Sequence, residues 1–195
     1  MSLKKRVYSI LIVSASKTFT SSLTSLLPES LYDTVSVASG INCAKRSLAE
    51  RPYDFIIINS PLPDDQGIRF AVDTCSRNNA VVLLLIKSDI HDEIYSKVSP
   101  HGVFTLPKPT SRTIMERALS WMISSRERLR RYENKTTSIE QKMEEIRLVN
   151  RAKWMLISHE NMSEPDAHRY IEKTAMDRCV SRKEIADEII CRYGK

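Results

Sequence analysis

The sequence predicts a doubly wound α/β domain, followed by one long helix and a small three-helix all-α domain. Three observations support this. Five short strand-like runs recur through the first 120 or so residues, and a helix-forming stretch follows each one. Neither Gly nor Pro occurs from Thr113 to His159. After Arg147, apolar residues return at helical spacing in three stretches, the last two opened by a Ser.

Tyr8 to Val13, Phe55 to Ile58, Val81 to Ile86 and Val103 to Leu106 are nearly continuous apolar runs. They are too short for helices and too apolar for strands with one wet face, so they predict the central strands of a parallel sheet. Tyr32 to Val37 alternates more and is the second strand. Helices are expected at Lys17–Leu27, Cys43–Glu50, Ile68–Asn78, Ile90–Val98 and Arg112–Met122. Five strand-then-helix units imply a three-layer sandwich, with helices on both faces of the sheet.

The stretch that follows is rich in Glu, Arg, Met and Leu, which favours a helix. Counted in sevens, one file runs Met122, Leu129, Thr136, Met143, Asn150 and its partner runs Ser125, Tyr132, Ile139, Ile146, Lys153. This leaky heptad pattern fits a coiled coil and a parallel homodimer through the long helix, which is the favoured reading, and also a single amphipathic helix lying on its own chain. Thr136-Thr137-Ser138 is its weakest point, where a break or hinge is expected. Arg126, Arg128, Arg130 and Arg131 are interleaved with Glu127 and followed by Glu133. A solvated face with internal pairs and a phosphate-contact patch both fit that cluster.

Three short helices close the chain. Ile146, Val149, Ala152, Met155 and Leu156 share one face. Ala167, Tyr170, Ile171, Thr174 and Ala175 share the next, and Ile185, Ala186, Ile189 and Ile190 the last. Tyr170 and Met176 are read as core. Asn161 can end the first helix, and Ser163 can cap the second with Pro165 in its first turn. Ser181 and Glu184 have the spacing of a capping box. The expected boundaries are a first domain at 1–122, a helical linker at 123–145 and the all-α domain at 146–195.

The net charge of +6 and pI near 9.2 favour an anionic partner. From Met122 onward 16 Lys/Arg stand against 13 Asp/Glu, so bulk charge does not single out the tail. Cys43, Cys75, Cys179 and Cys191 are scattered, without C-x-x-C or a His at ligand spacing. Such thiols fit a reducing cytoplasm, with no metal site and no cofactor. No apolar run is long enough to span a membrane. Without a nucleophile–base constellation, a phosphate loop or a metal cluster, a binding role is expected rather than catalysis.

Residues 6–125 resemble the two-component receiver domain. The third strand and its loop, Asp54-Phe-Ile-Ile-Ile-Asn59-Ser-Pro-Leu-Pro-Asp-Asp-Gln-Gly67, follow that family's strand, acceptor position and Pro-x-x-x-Gly turn, and Lys108-Pro109 matches its Lys-Pro. The resemblance places Asn59 on the phosphate-accepting Asp. It places Ser14 and Ala15 on the metal-binding acidic pair, and Leu85 or Ile86 on the hydroxyl position. An amide is no phosphoryl acceptor, and a hard cation prefers oxygen anions. A degenerate site of Asn59, Ser14, Ala15 and Lys108 is therefore expected, in a domain that serves as scaffold, dimerisation surface or docking site for a regulatory protein.

The tail resembles the ANTAR domain, the RNA-binding output module of bacterial transcription antiterminators, over residues 140–192. The match runs through Arg151-Ala152-Lys153, Ser163-Glu164-Pro165-Asp166-Ala167, Ala175-Met176 and Arg182-Lys183-Glu184-Ile185-Ala186 without insertion. Trp154 replaces a usual Gly, and His168 a usual aromatic or apolar residue. The resemblance implies binding to hairpin loops in leader transcripts. The expected RNA-binding set is Arg151, Lys153, Lys173, Arg178, Ser181, Arg182 and Lys183. Two other readings stay open, a DNA-binding response regulator and a protein-interaction adaptor. A helix-turn-helix needs a recognition helix that is hard to place after Ile190.

Overall fold

The computed structural model describes residues 6–77 and 79–194; Asn78, expected at the end of the third helix, lies outside the described residues. Five strands alternate with helices: β1 Tyr8–Val13, α1 Lys17–Thr24, β2 Tyr32–Ala38, α2 Ile41–Glu50, β3 Phe55–Asn59 and α3 Ile68–Arg77. The order continues with β4 Val81–Lys87, α4 His91–Val98, β5 Phe104–Lys108, α5 Arg112–Glu160, α6 Glu164–Arg178 and α7 Arg182–Tyr193. By packing, the chain forms two compact units, which meet between Arg130 and Arg131.

The sheet of the first unit is parallel, in the order β2-β1-β3-β4-β5. Ile56, Ile57 and Ile58 pair with Val82, Leu83 and Leu84, and successive side chains leave on opposite faces. Leu11, Val13, Ile56, Ile58, Leu84 and Ile86 meet residues of α2, α3 and α4. Ile10, Ile12, Phe55, Ile57, Leu83 and Leu85 meet α1 and the first turns of α5 through Leu23, Met115, Leu119 and Met122. Continuous apolar strands thus have two dry faces, as their composition implies.

Several elements depart from their expected bounds: α1 stops at Thr24 rather than Leu27, β2, β3 and β4 each run one residue further, and α4 starts one residue later. The shifts of β5 and α2 have visible causes. β5 runs on to Lys108 through Pro107, which an edge strand tolerates because its outer side needs no ladder donor. α2 starts at Ile41 because Asp64, from the β3–α3 loop, accepts from the Ile41 and Asn42 N–H groups at 3.0 Å each. That cap comes from a distant part of the chain. A Cβ on Gly40 would sit 2.7 Å from the Asp64 carboxylate, so a side chain there would displace this cap. Gly67 turns the same loop at φ 78°, a conformation that disfavours side chains.

Arg126 and Arg130 of α5 reach the base of the sheet. Asp54, just before β3, accepts from Arg126 Nε at 2.9 Å and Arg130 at 3.2 Å, and from the Ser9 N–H at 3.0 Å. Glu127 accepts from the Tyr8 hydroxyl at 3.0 Å and pairs with Arg130 and Arg6. At these two positions the cluster is a clasp between helix and sheet rather than a solvated face.

α5 runs without a break through Thr136-Thr137-Ser138, where a hinge was expected. The Thr137 hydroxyl donates to the Glu133 carbonyl one turn back, which satisfies it inside the helix. Met122, the first member of the heptad files, is buried in the core of the first unit, whereas Leu129, Tyr132, Ile139, Met143 and Ile146 are exposed along α5, so beyond Met122 the apolar positions lie open at the helix surface.

Candidate functional site

In the second unit, the C-terminal turns of α5 pack with α6 and α7. Val149, Ala152 and Leu156 meet Ala167, Ile171 and Ala175, and Ile185, Ala186 and Ile189 complete the core. Four of these nine are alanines, which let helix backbones approach closely. Ile146 and Met176 lie outside, Met176 being 77% exposed. The core face of α6 is set by Ala167, Ile171 and Ala175, and Met176 falls to one side of it.

The helix borders follow the local sequence. Asn161 takes a positive φ after α5, and Ser163 caps α6 by accepting from the Asp166 N–H. Ser181 and Glu184 form the reciprocal capping box at the start of α7.

The expected RNA-binding residues divide into two groups. Lys153 has a side chain only 16% exposed and donates to Glu164 at 3.0 Å, tying α5 to the first turn of α6. Arg182 of α7 pairs with Glu145 of α5 at 2.9 Å and Glu172 of α6 at 3.5 Å. Arg178 forms a two-pronged bond with Glu188 at 2.6 and 2.7 Å, which raises the Arg178 pKa and holds Glu188 below the usual carboxylate range. The Ser181 hydroxyl is spent on its cap. The three cations tie helices together, and Ser181 fixes the start of its own.

Arg151, Lys173 and Lys183 are exposed and have no ion-pair partner among the described residues. Each points away from its own helix's core face. Lys183 shares a groove with Ser181, Lys142, Glu140, Glu144 and Glu145. Lys153, Arg182 and His168 line another with Asn150 and Glu145. Sequence reasoning passed over Arg169, which is exposed and stands one turn before Lys173 on α6. Its i, i+4 spacing with Lys173, opposite Ile171, was the available signal.

At the strand ends of the first unit, three of the four expected residues come together. Asn59 closes β3, donates to the Ser14 hydroxyl at 3.0 Å and accepts from the Lys108 ammonium at 2.9 Å. Lys108 also donates to the Ser60 carbonyl. Burial, and then the Lys87 charge, lower the Lys108 pKa. Ala15 is exposed in the turn into α1, apart from this chain of bonds. Asp65 accepts from the Gly67 N–H at 2.6 Å, and Asp64 is committed to the start of α2. Among the described residues, no group of three His, Cys, Asp or Glu side chains could hold a metal ion, and no helix is long and apolar enough to cross a membrane.

Comparison with known proteins agrees with both units. Residues 137–190 match the ANTAR domain family. The Transcriptional regulatory protein PdtaR of Mycobacterium tuberculosis is 26% identical over 173 residues, covering 88% of this chain and 84% of that protein. A signal receiver domain of an HD domain-containing protein from Pseudomonas fluorescens Pf-5 superposes with a TM-score of 0.58 at 22% identity, covering 67% of this chain and 96% of its own. A two component transcriptional regulator AraC from Clostridium phytofermentans ISDg gives 0.58 at 15%, covering 63% and 98%. These two likenesses establish the receiver fold. The chain thus joins a receiver-like fold in its first unit to a second unit that matches the ANTAR domain family, and over most of its length it is similar to a transcriptional regulatory protein.

Proposed function

We propose that this protein binds hairpin loops in leader transcripts and lets polymerase pass a terminator, acting as a cytoplasmic antitermination regulator. The observation that carries the proposal is the ANTAR match over residues 137–190. RNA sequence is read from unstacked loop bases, while cations neutralise phosphates. Arg151, Lys173 and Lys183 are the members of the expected set whose charges are free to do so, with Arg169 beside Lys173. Lys153, Arg178, Ser181 and Arg182 contribute by shaping the bundle. The open apolar files of α5 support a homodimer through the long helix.

Filter binding of the full chain to a hairpin RNA, against duplex DNA of matched sequence, tests this reading. The RNA should bind more tightly at every salt concentration. Replacing Arg151, Lys173 and Lys183 together by Glu should weaken it at least tenfold. The slope of log affinity against log salt should flatten by about 2, at roughly 0.7 per single-strand phosphate contact. Equal affinity for the DNA, or an unchanged slope, would refute the assignment.

The receiver-like domain, in this reading, works without phosphoryl transfer and serves as scaffold or docking site for a regulatory protein. Asn59 offers an amide where an acceptor carboxylate is required, and Ser14 and Ala15 offer no anionic ligand for a cation. Incubation with acetyl phosphate and Mg²⁺ should leave the intact mass unchanged. Appearance of a phosphorylated species would overturn this part.

A further inference from the structure

We infer that Trp154 is the stacking platform for an unpaired base of the bound RNA, an inference that rests on the RNA-binding reading above. Its side chain is 68% exposed on α5. It lies two residues from both Ala152 and Leu156, and at 3.6 residues per turn that places it opposite the core stripe. Arg151 and Arg147 stand three and seven residues earlier, on the same side of the helix and also exposed, Arg151 without an ion-pair partner among the described residues and Arg147 at 4.0 Å from Glu144.

Along this stretch of α5 itself the charge is of one sign. From Ile146 to His159 the chain contains no Asp or Glu. The bordering carboxylates are engaged elsewhere, Glu145 by Arg182 and Glu160 by the Tyr193 hydroxyl. A large apolar ring left in water among cations suits a ligand with both a flat π-face and phosphates. A single-stranded nucleotide has both, and every base can stack. A second copy of the chain is the poorer fit. The apolar files of α5 end at Ile146, their next positions are Asn150 and Lys153, and Lys153 is tied to Glu164.

The test uses the full chain carrying Trp121→Phe, so that Trp154 is the remaining tryptophan. The probes are a hairpin RNA with an unpaired loop and a fully paired RNA of the same length. The hairpin should quench the tryptophan emission and the paired RNA should not. Trp154→Ala should weaken hairpin binding about 5- to 150-fold, the range for loss of one stacked base, and Trp154→Phe should restore most of it. Light scattering at the same concentrations should give one oligomeric state for all variants.

Three results would overturn the inference. Hairpin binding with no quenching and no loss in Trp154→Ala would remove the stacking role and leave RNA binding intact. A change of oligomeric state in Trp154→Ala would reassign the residue to a contact between copies. No hairpin binding by the unsubstituted protein would defeat the underlying reading, and this inference with it.

Discussion

Ile171→Ala should destabilise the three-helix unit by about 3 kcal/mol, within the 2–5 kcal/mol typical of deleting a fully buried Ile side chain. Ile171 has no exposed surface, and its cluster draws on α5, α6 and α7. A small side chain there leaves a void that neighbouring alanines cannot fill. At roughly 0.05–0.15 kcal/mol per residue, a unit of this size has only a few kcal/mol in reserve. Thermal unfolding followed by circular dichroism should show the helical signal lost more than about 10 °C earlier, with RNA affinity falling alongside. Ile171→Val should cost only about 1 kcal/mol. A shift of a degree or two in Ile171→Ala would mean that the bundle is not packed as described.

Asp54→Ala should cost the receiver-like unit about 2–3 kcal/mol. This lies below the 3–5 kcal/mol of a broken, fully buried pair, because the site keeps some water access. The Asp54 side chain is 16% exposed and bonds Ser9, Arg126 and Arg130. Removing it takes away the anion that both guanidinium groups share and leaves the Ser9 N–H without its carboxylate acceptor. Burial pushes the Asp54 carboxyl upward, but the Ser9 N–H and the two arginines outweigh this and hold its pKa below the ordinary value. A carboxyl lowered in the folded state adds stability above its unfolded pKa of about 3.9, and this contribution fades as pH falls through the folded value. Denaturant titrations should therefore give a constant gap between the parent and Asp54→Asn above about pH 5. The gap should narrow in more acidic buffer. A gap independent of pH would rule out the ion-paired carboxylate.

The strands were legible because Phe55 to Ile58 and Val81 to Ile86 have one meaning at their length and composition. The α6 and α7 starts were legible because Ser163 and Ser181 cap locally. What escaped depended on partners far along the chain. Nothing near Ile41 announces Asp64, and nothing near Arg126 or Arg130 announces Asp54. The expected RNA-binding set was blurred for the same reason. Arg151 and Lys153 look alike as sequence, but only the bundle brings Glu164 to Lys153 and leaves Arg151 in water. Met176 was read as core from its apolar character, although its angle on α6 turns it outward.

Among the described residues, the acceptors of the Lys108 ammonium are the Asn59 amide oxygen and the Ser60 carbonyl, both uncharged. A carboxylate at position 59 would absorb that charge into a salt pair; an amide leaves it uncancelled, and Lys87 adds to it. That ammonium is held by dipoles alone, and added salt, which screens the Lys87–Lys108 repulsion, is expected to ease its burial.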